Sequence, residues 1–246
     1  MAVPFFRYSF ETAKDMNMVD TYKKSNEETL RCIRYIQDSE TGLYANAYKD
    51  NIVDKGGVYT DHLIKEFGLE RMMFIASSTV KTMPEDGRWS KKVREWAKTF
   101  NAGIRHGEKS SQYALLQIHV GVVDILAKTL INKYDALNLF NTSHCEEERG
   151  DINGKVVVLS RMALSEEYWS PENQLWLATG GFGCEPNASG RAVFATCLYD
   201  GEETRWNRHQ IVGVLKDEFM PDWAREKLDE LQNPQQPEIK GGDMSL

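Results

Sequence analysis

The chain has 246 residues, 41% apolar and 27% charged, enough to bury one large core or two modest ones. Its formal net charge of −7 falls entirely after residue 150: residues 1–150 hold 21 Lys+Arg and 21 Asp+Glu, residues 151–246 hold 9 and 16. An acidic surface repels phosphate backbones, which argues against nonspecific nucleic-acid binding; with no apolar run near ~18 residues and no signal-peptide pattern in Met1–Arg7, the expectation is a cytoplasmic chain, off the membrane, with its four cysteines reduced.

Helical periodicity dominates the first part. Over Val19–Gln37, Tyr22, Leu30, Ile33 and Ile36 fall near one stripe. Val58–Phe67 reads as a short helix ended by Gly68, a residue suited to the left-handed position after a helix. Leu69, Met72, Met73, Ala76 and Val80 form a core-facing stripe on the next helix. Pro84–Gly87 reads as a turn, Ser90 as a cap, and Trp89, Val93, Trp96, Ala97 and Phe100 as one helical face. A longer helix is expected over Ser111–Ile131, interrupted at Gly121.

Asn141–Gly154 is polar, with three consecutive glutamates, and reads as a linker. Beyond it the pattern turns to short strands: Lys155–Leu159, Gln174–Thr179, Ala192–Tyr199 with a hairpin signal at Asp200-Gly201, and Ile211–Leu215. Met220–Leu231 reads as a terminal helix capped by Asp222, with Trp223, Lys227, Leu228 and Leu231 on one side. The expected fold class is α+β: a helical domain over 1–140, a linker over 141–154, a small antiparallel β-rich domain with a C-terminal helix over 155–232, and a disordered tail over 233–246.

An ordered series of residues carries a resemblance. Phe6-Arg-Tyr-Ser-Phe-Glu-Thr-Ala-Lys14, Tyr22-Lys-Lys-Ser-Asn26, Cys32-Ile33, Phe67-Gly-Leu-Glu-Arg71, Ala76, Asp86-Gly-Arg-Trp-Ser90 and Trp96-Ala97 together resemble the domain-of-unknown-function family numbered 3849, over roughly residues 4–101, with Thr41–Tyr48 departing from the pattern. Tyr168–Asp222 is similar to a small module appended to such domains. The resemblance implies a phage or mobile-element accessory protein in a bacterial host, of a kind that inhibits restriction or CRISPR nucleases. It brings no catalytic residues.

Two segments stand out as candidate sites. Gly180-Gly-Phe-Gly-Cys-Glu-Pro-Asn-Ala-Ser-Gly-Arg191 lacks the Gly-Lys-Ser/Thr of a phosphate-binding loop. It reads either as a tight strand connection or as a ligand loop in which Gly181, Gly183, Arg191 and Arg205 serve a small ligand. Arg88 and Trp89 are of types enriched at interface hot spots, although Trp89 also fits the core stripe. Glu202 and Glu203, beside Arg205 and Arg208, read as a solvated hairpin or as part of an acidic docking surface. Cys32 reads as a small buried hydrophobe. None of the five histidines has metal-ligand spacing, and His144-Cys145 with Cys184 lacks it too, so no metal and no cofactor is expected. The expected function is binding and inhibition of a host defence protein such as a CRISPR effector, without chemistry; the alternative is a small-ligand binder or enzyme built on the Gly180–Arg191 loop.

Overall fold

The structure is a computed structural model in which residues 3–38, 40, 42–43, 57–100, 104–146 and 150–233 are described. The departure at Thr41–Tyr48 and the tail from residue 234 fall mostly or wholly outside them. The chain divides into two compact units, Met1–Ala136 and Leu137–Leu246. The class is α+β: among the described residues are eight α-helices, most of them in the first unit, and one five-stranded antiparallel sheet.

The first unit is built around one helix. Helices α1 (Phe10–Asp15), α2 (Val19–Gln37), α3 (Val58–Phe67), α4 (Leu69–Thr82), α5 (Lys91–Phe100) and α6 (Val120–Asp135) follow in order. Helix α4 carries the expected apolar stripe, yet every residue from Leu69 to Val80 is buried. A helix covered on all sides must satisfy its polar groups internally. Ser77 donates to the Phe74 carbonyl, and Thr79 donates to the Ile75 carbonyl while accepting the Leu115 N–H.

That last bond corrects the helix expected over Ser111–Ile131. Ser110–Tyr113 is a single 3-10 turn, the chain then runs across α4, and α6 begins only at Val120. His119 caps it by accepting the Gly121 N–H at Nδ1, so Gly121 lies in the first turn and interrupts nothing. Ser90 stands at the expected cap position, its carbonyl accepting the Arg94 N–H, while its own N–H and hydroxyl both donate to Asp124 Oδ1, at 2.8 and 2.9 Å, tying the start of α5 to α6.

In the second unit β1 (Val156–Leu159), β2 (Leu175–Gly180), β3 (Ala192–Cys197), β4 (Glu203–Asn207) and β5 (Ile211–Val214) form a sheet in the order β4-β3-β2-β1-β5. The short helix α7 (Pro171–Gln174) leads into β2. Val156, Val158, Leu175 and Leu177 share one face, against which α8 (Asp222–Gln232) packs Trp223, Ala224 and Leu228. Leu231 and Lys227, expected on the packed side, are exposed, and the N-cap is Pro221 rather than Asp222.

The segment expected as a linker belongs to this sheet. Cys145 is buried in the same core and bridges Leu215, and Glu146 and Lys216 exchange backbone bonds with Val214 and His144, covering the outer edge of β5. Ile152 is buried as well. The polar run disguises a segment whose few apolar residues all point inward; residues 147–149 lie outside the described set.

Candidate functional site

The glycine-rich segment folds as a connection whose two limbs lie backbone on backbone. Gly181 sits at φ +99°, a conformation L side chains rarely adopt, and a Cβ there would stand 2.4 Å from the Ala192 carbonyl oxygen. A Cβ at Gly183 would stand 2.5 Å from the carbonyl oxygen of Arg191. The limbs are pinned further: Cys184 Sγ donates to the Gly180 carbonyl, Ile152 N–H to the Cys184 carbonyl, and Arg208 Nη1 to the carbonyls of Gly183 and Cys184 at 3.2 and 3.3 Å. These glycines are explained by packing.

The connection separates two surfaces. On one side lies a cavity of about 380 Å³ between the loop and β5. Its apolar lining includes the buried Ile152 and Val214, and its charged lining is Arg191, Arg208, Glu146 and Glu185. Glu146 Oε2 is 3.8 Å from Lys155 Nζ. On the other side is the free end of the sheet. Phe194 pairs with Gly180 on β2 and with Arg205 on β4, so its ring stands beside Arg205 with no side chain opposite on β2. Phe194 is 52% exposed; Phe182, against Gly190 of the connection, is 74% exposed. Strand β4 is the sheet edge. Cys197 and Arg191 bond Glu202 and Arg208, so the N–H and C=O of Glu203 and Arg205 point outward, where no described residue pairs with them.

The predicted residues thus fall in different places. Gly183 and Arg191 line the cavity, joined there by Arg208, a residue the sequence places only beside the Glu202-Glu203 hairpin. Arg205, expected with them, lies instead on the sheet face with Phe194, near Glu203 on the same edge strand. Gly181 lies beneath the Phe194 ring. Glu202 is exposed and accepts from the Thr204 hydroxyl. In the first unit Trp89 is corrected as a contact residue: it is 2% exposed and donates its indole N–H to the Met83 carbonyl. Arg88 is exposed but engaged, gripping Asp86 with Nε and Nη2 and lying 2.9 Å from His119 Nε2. The guanidinium holds the Asp86 carboxyl down at about 2.

Sequence reasoning missed the buried charges of the first unit. Arg71 is fully buried on α4 and donates to Thr29 and to the carbonyls of Phe67, Val3 and Pro4. Arg7 pairs with the buried Glu70. Arg105, 2% exposed, donates to Asn26 Oδ1 and the Phe6 carbonyl, among the rings of Phe5, Tyr22, Phe74 and Tyr113 at 5.0 to 5.5 Å. Glu108 closes the set by accepting from the Tyr113 hydroxyl and the Phe10 N–H; burial first, then that bond, pushes the Tyr113 phenol up. These arginines clamp the N-terminal segment Val3–Ser9 onto α2 and α4. The signal was present in the sequence as a Glu-Arg pair inside the apolar run of α4.

Cys32 lies buried against Met72, and burial pushes its thiol well up, away from the thiolate. Among the described residues no group of three or more His, Cys, Asp or Glu is placed to hold a metal, and no helix is long and apolar enough to cross a membrane. Set against known proteins, residues 5–135 match the family model described as "Protein of unknown function (DUF3849)". Neither a curated protein nor a solved structure matches the chain.

Proposed function

The chain belongs to this family of proteins of unknown function, whose matched residues end one short of the boundary of the first unit; from that premise we propose that it acts by binding, its second unit docking on a basic protein surface and blocking it. The observation that supports this reading best is Phe194, exposed beside Arg205 at an uncovered sheet edge. Aromatic residues and arginine are the types that interface cores enrich and hot spots use. Charge favours the same kind of partner: residues 137–246 hold 10 Lys+Arg against 19 Asp+Glu, with Glu203 two residues from Arg205 on the edge strand and Glu202 exposed next to it. Such a field steers a basic partner into contact and repels free nucleic acid.

A host defence nuclease, a restriction enzyme or CRISPR effector with a basic nucleic-acid groove, is a partner of this chemistry, and a phage or mobile element gains from occupying it. The test is plasmid transformation into bacteria whose nuclease targets the plasmid. Expression of the chain raises transformation, and Phe194→Ala or the pair Glu202→Lys, Glu203→Lys removes the gain while the protein stays folded. No gain across a set of restriction and CRISPR strains, or an equal gain with the variants, would overturn the reading.

A further inference from the structure

The cavity on the other side of the glycine-rich connection carries a second, independent inference. Its volume, about 380 Å³, lies within the range of small-molecule sites. Its chemistry is divided: Ile152 and Val214 give a buried apolar lining, while Arg191 and Arg208 bring two guanidinium groups to the same space. Arg208 is oriented, because the Gly183 and Cys184 carbonyls hold its Nη1 and leave Nε and Nη2 for another acceptor. Arg191 lines the cavity with no side-chain acceptor among the described residues.

We infer that this cavity binds a small organic monocarboxylate with an apolar body, its carboxylate on Arg191 and Arg208 and its body against Ile152 and Val214. A guanidinium fork matches a carboxylate in geometry as well as charge. A phosphate fits less well. Glu146 and Glu185 also line the space; Lys155 beside Glu146 offsets it, so the two arginines against Glu185 leave about one net positive charge, which one carboxylate balances and a dianion exceeds. The loop glycines, which would cradle a phosphate in a nucleotide site, are occupied with the opposite limb of the connection.

The test is ligand-observed NMR and titration calorimetry on the full chain, with phenylacetate and hexanoate as probes, their amides as matched neutral controls, and inorganic phosphate. At least one carboxylate binds, its amide binds at least 10-fold more weakly, and phosphate does not compete. Arg191→Gln, an exposed residue whose loss leaves the fold intact, weakens binding at least 10-fold, and Ala188→Trp, which fills the cavity from its lining, abolishes it. Failure of both carboxylates to bind at millimolar concentration, equal binding of the amides, or unchanged binding by Arg191→Gln would overturn the inference. None of these substitutions touches Phe194, Glu202 or Glu203, so the docking proposal stands or falls separately.

Discussion

The buried charges of the first unit explain why the motif residues occur as they do. A buried arginine is costly unless its donors find acceptors, and here backbone carbonyls of the N-terminal segment supply them. Removing one member of such a pair leaves the other uncompensated. Glu70→Ala is expected to destabilise the protein by about 3–5 kcal/mol in urea unfolding, because the nearly covered Arg7 loses the buried carboxylate it pairs with; a loss under about 1 kcal/mol would contradict the clamp. Asp86, half-buried under the exposed Arg88, is the surface counterpart. Its carboxyl is held at about 2, below the ordinary value near ~3.9, so the Arg88 grip stabilises the fold fully above the ordinary value and is lost as pH falls through 2. An NMR titration should give Asp86 a midpoint near 2, and Arg88→Gln should return it to the ordinary carboxylate range. At this scale the sequence is least legible: the spacing of Trp89 fits a core face and its residue type fits a hot spot, and only burial separates the two.

Among the elements, those with a strong period were legible. Helix α2 and helix α3 fall on their expected bounds, and β1, β2, β3 and β5 within a residue or two of theirs. Strand β4 carries Glu203 and Arg205 on an edge, and edge strands use charge to discourage pairing, which hides the alternation that marks a strand. The late start of α6 was illegible for another reason: Leu115 is apolar as a helix residue would be, but its N–H is taken by Thr79 of a distant helix. The glycine-rich connection was legible as a tight link, and its glycines can be tested as such. Gly183→Ala is expected to lower stability by about 1–3 kcal/mol in thermal unfolding, since the new Cβ meets backbone that cannot swing aside. A change within about 0.5 kcal/mol would mean that the limbs are not in contact.

Across the whole molecule the division of labour follows the division of charge. Residues 1–136 hold 20 Lys+Arg and 18 Asp+Glu and invest their polar residues inward; residues 137–246 are strongly acidic and present aromatic rings outward. The charge asymmetry was visible in the sequence. The site was visible only in part, since Arg191 and Gly183 were singled out but Arg208 follows β4 and Val214 lies on β5, strands at opposite edges of the sheet, and only the fold brings both to the loop. Phe194 is legible only as part of the strand Ala192–Tyr199; its place opposite Gly180 is what leaves it uncovered. The claim that this end of the second unit docks on a nuclease is tested most directly by the rate at which a purified CRISPR or restriction nuclease, chosen from a strain the chain protects, cleaves its target DNA as the chain is added. Wild-type chain should stop cleavage near stoichiometry, and Phe194→Ala should require about 30-fold more, the loss of one hot spot of about 2 kcal/mol; equal inhibition by the two proteins, or none by either, would contradict the account.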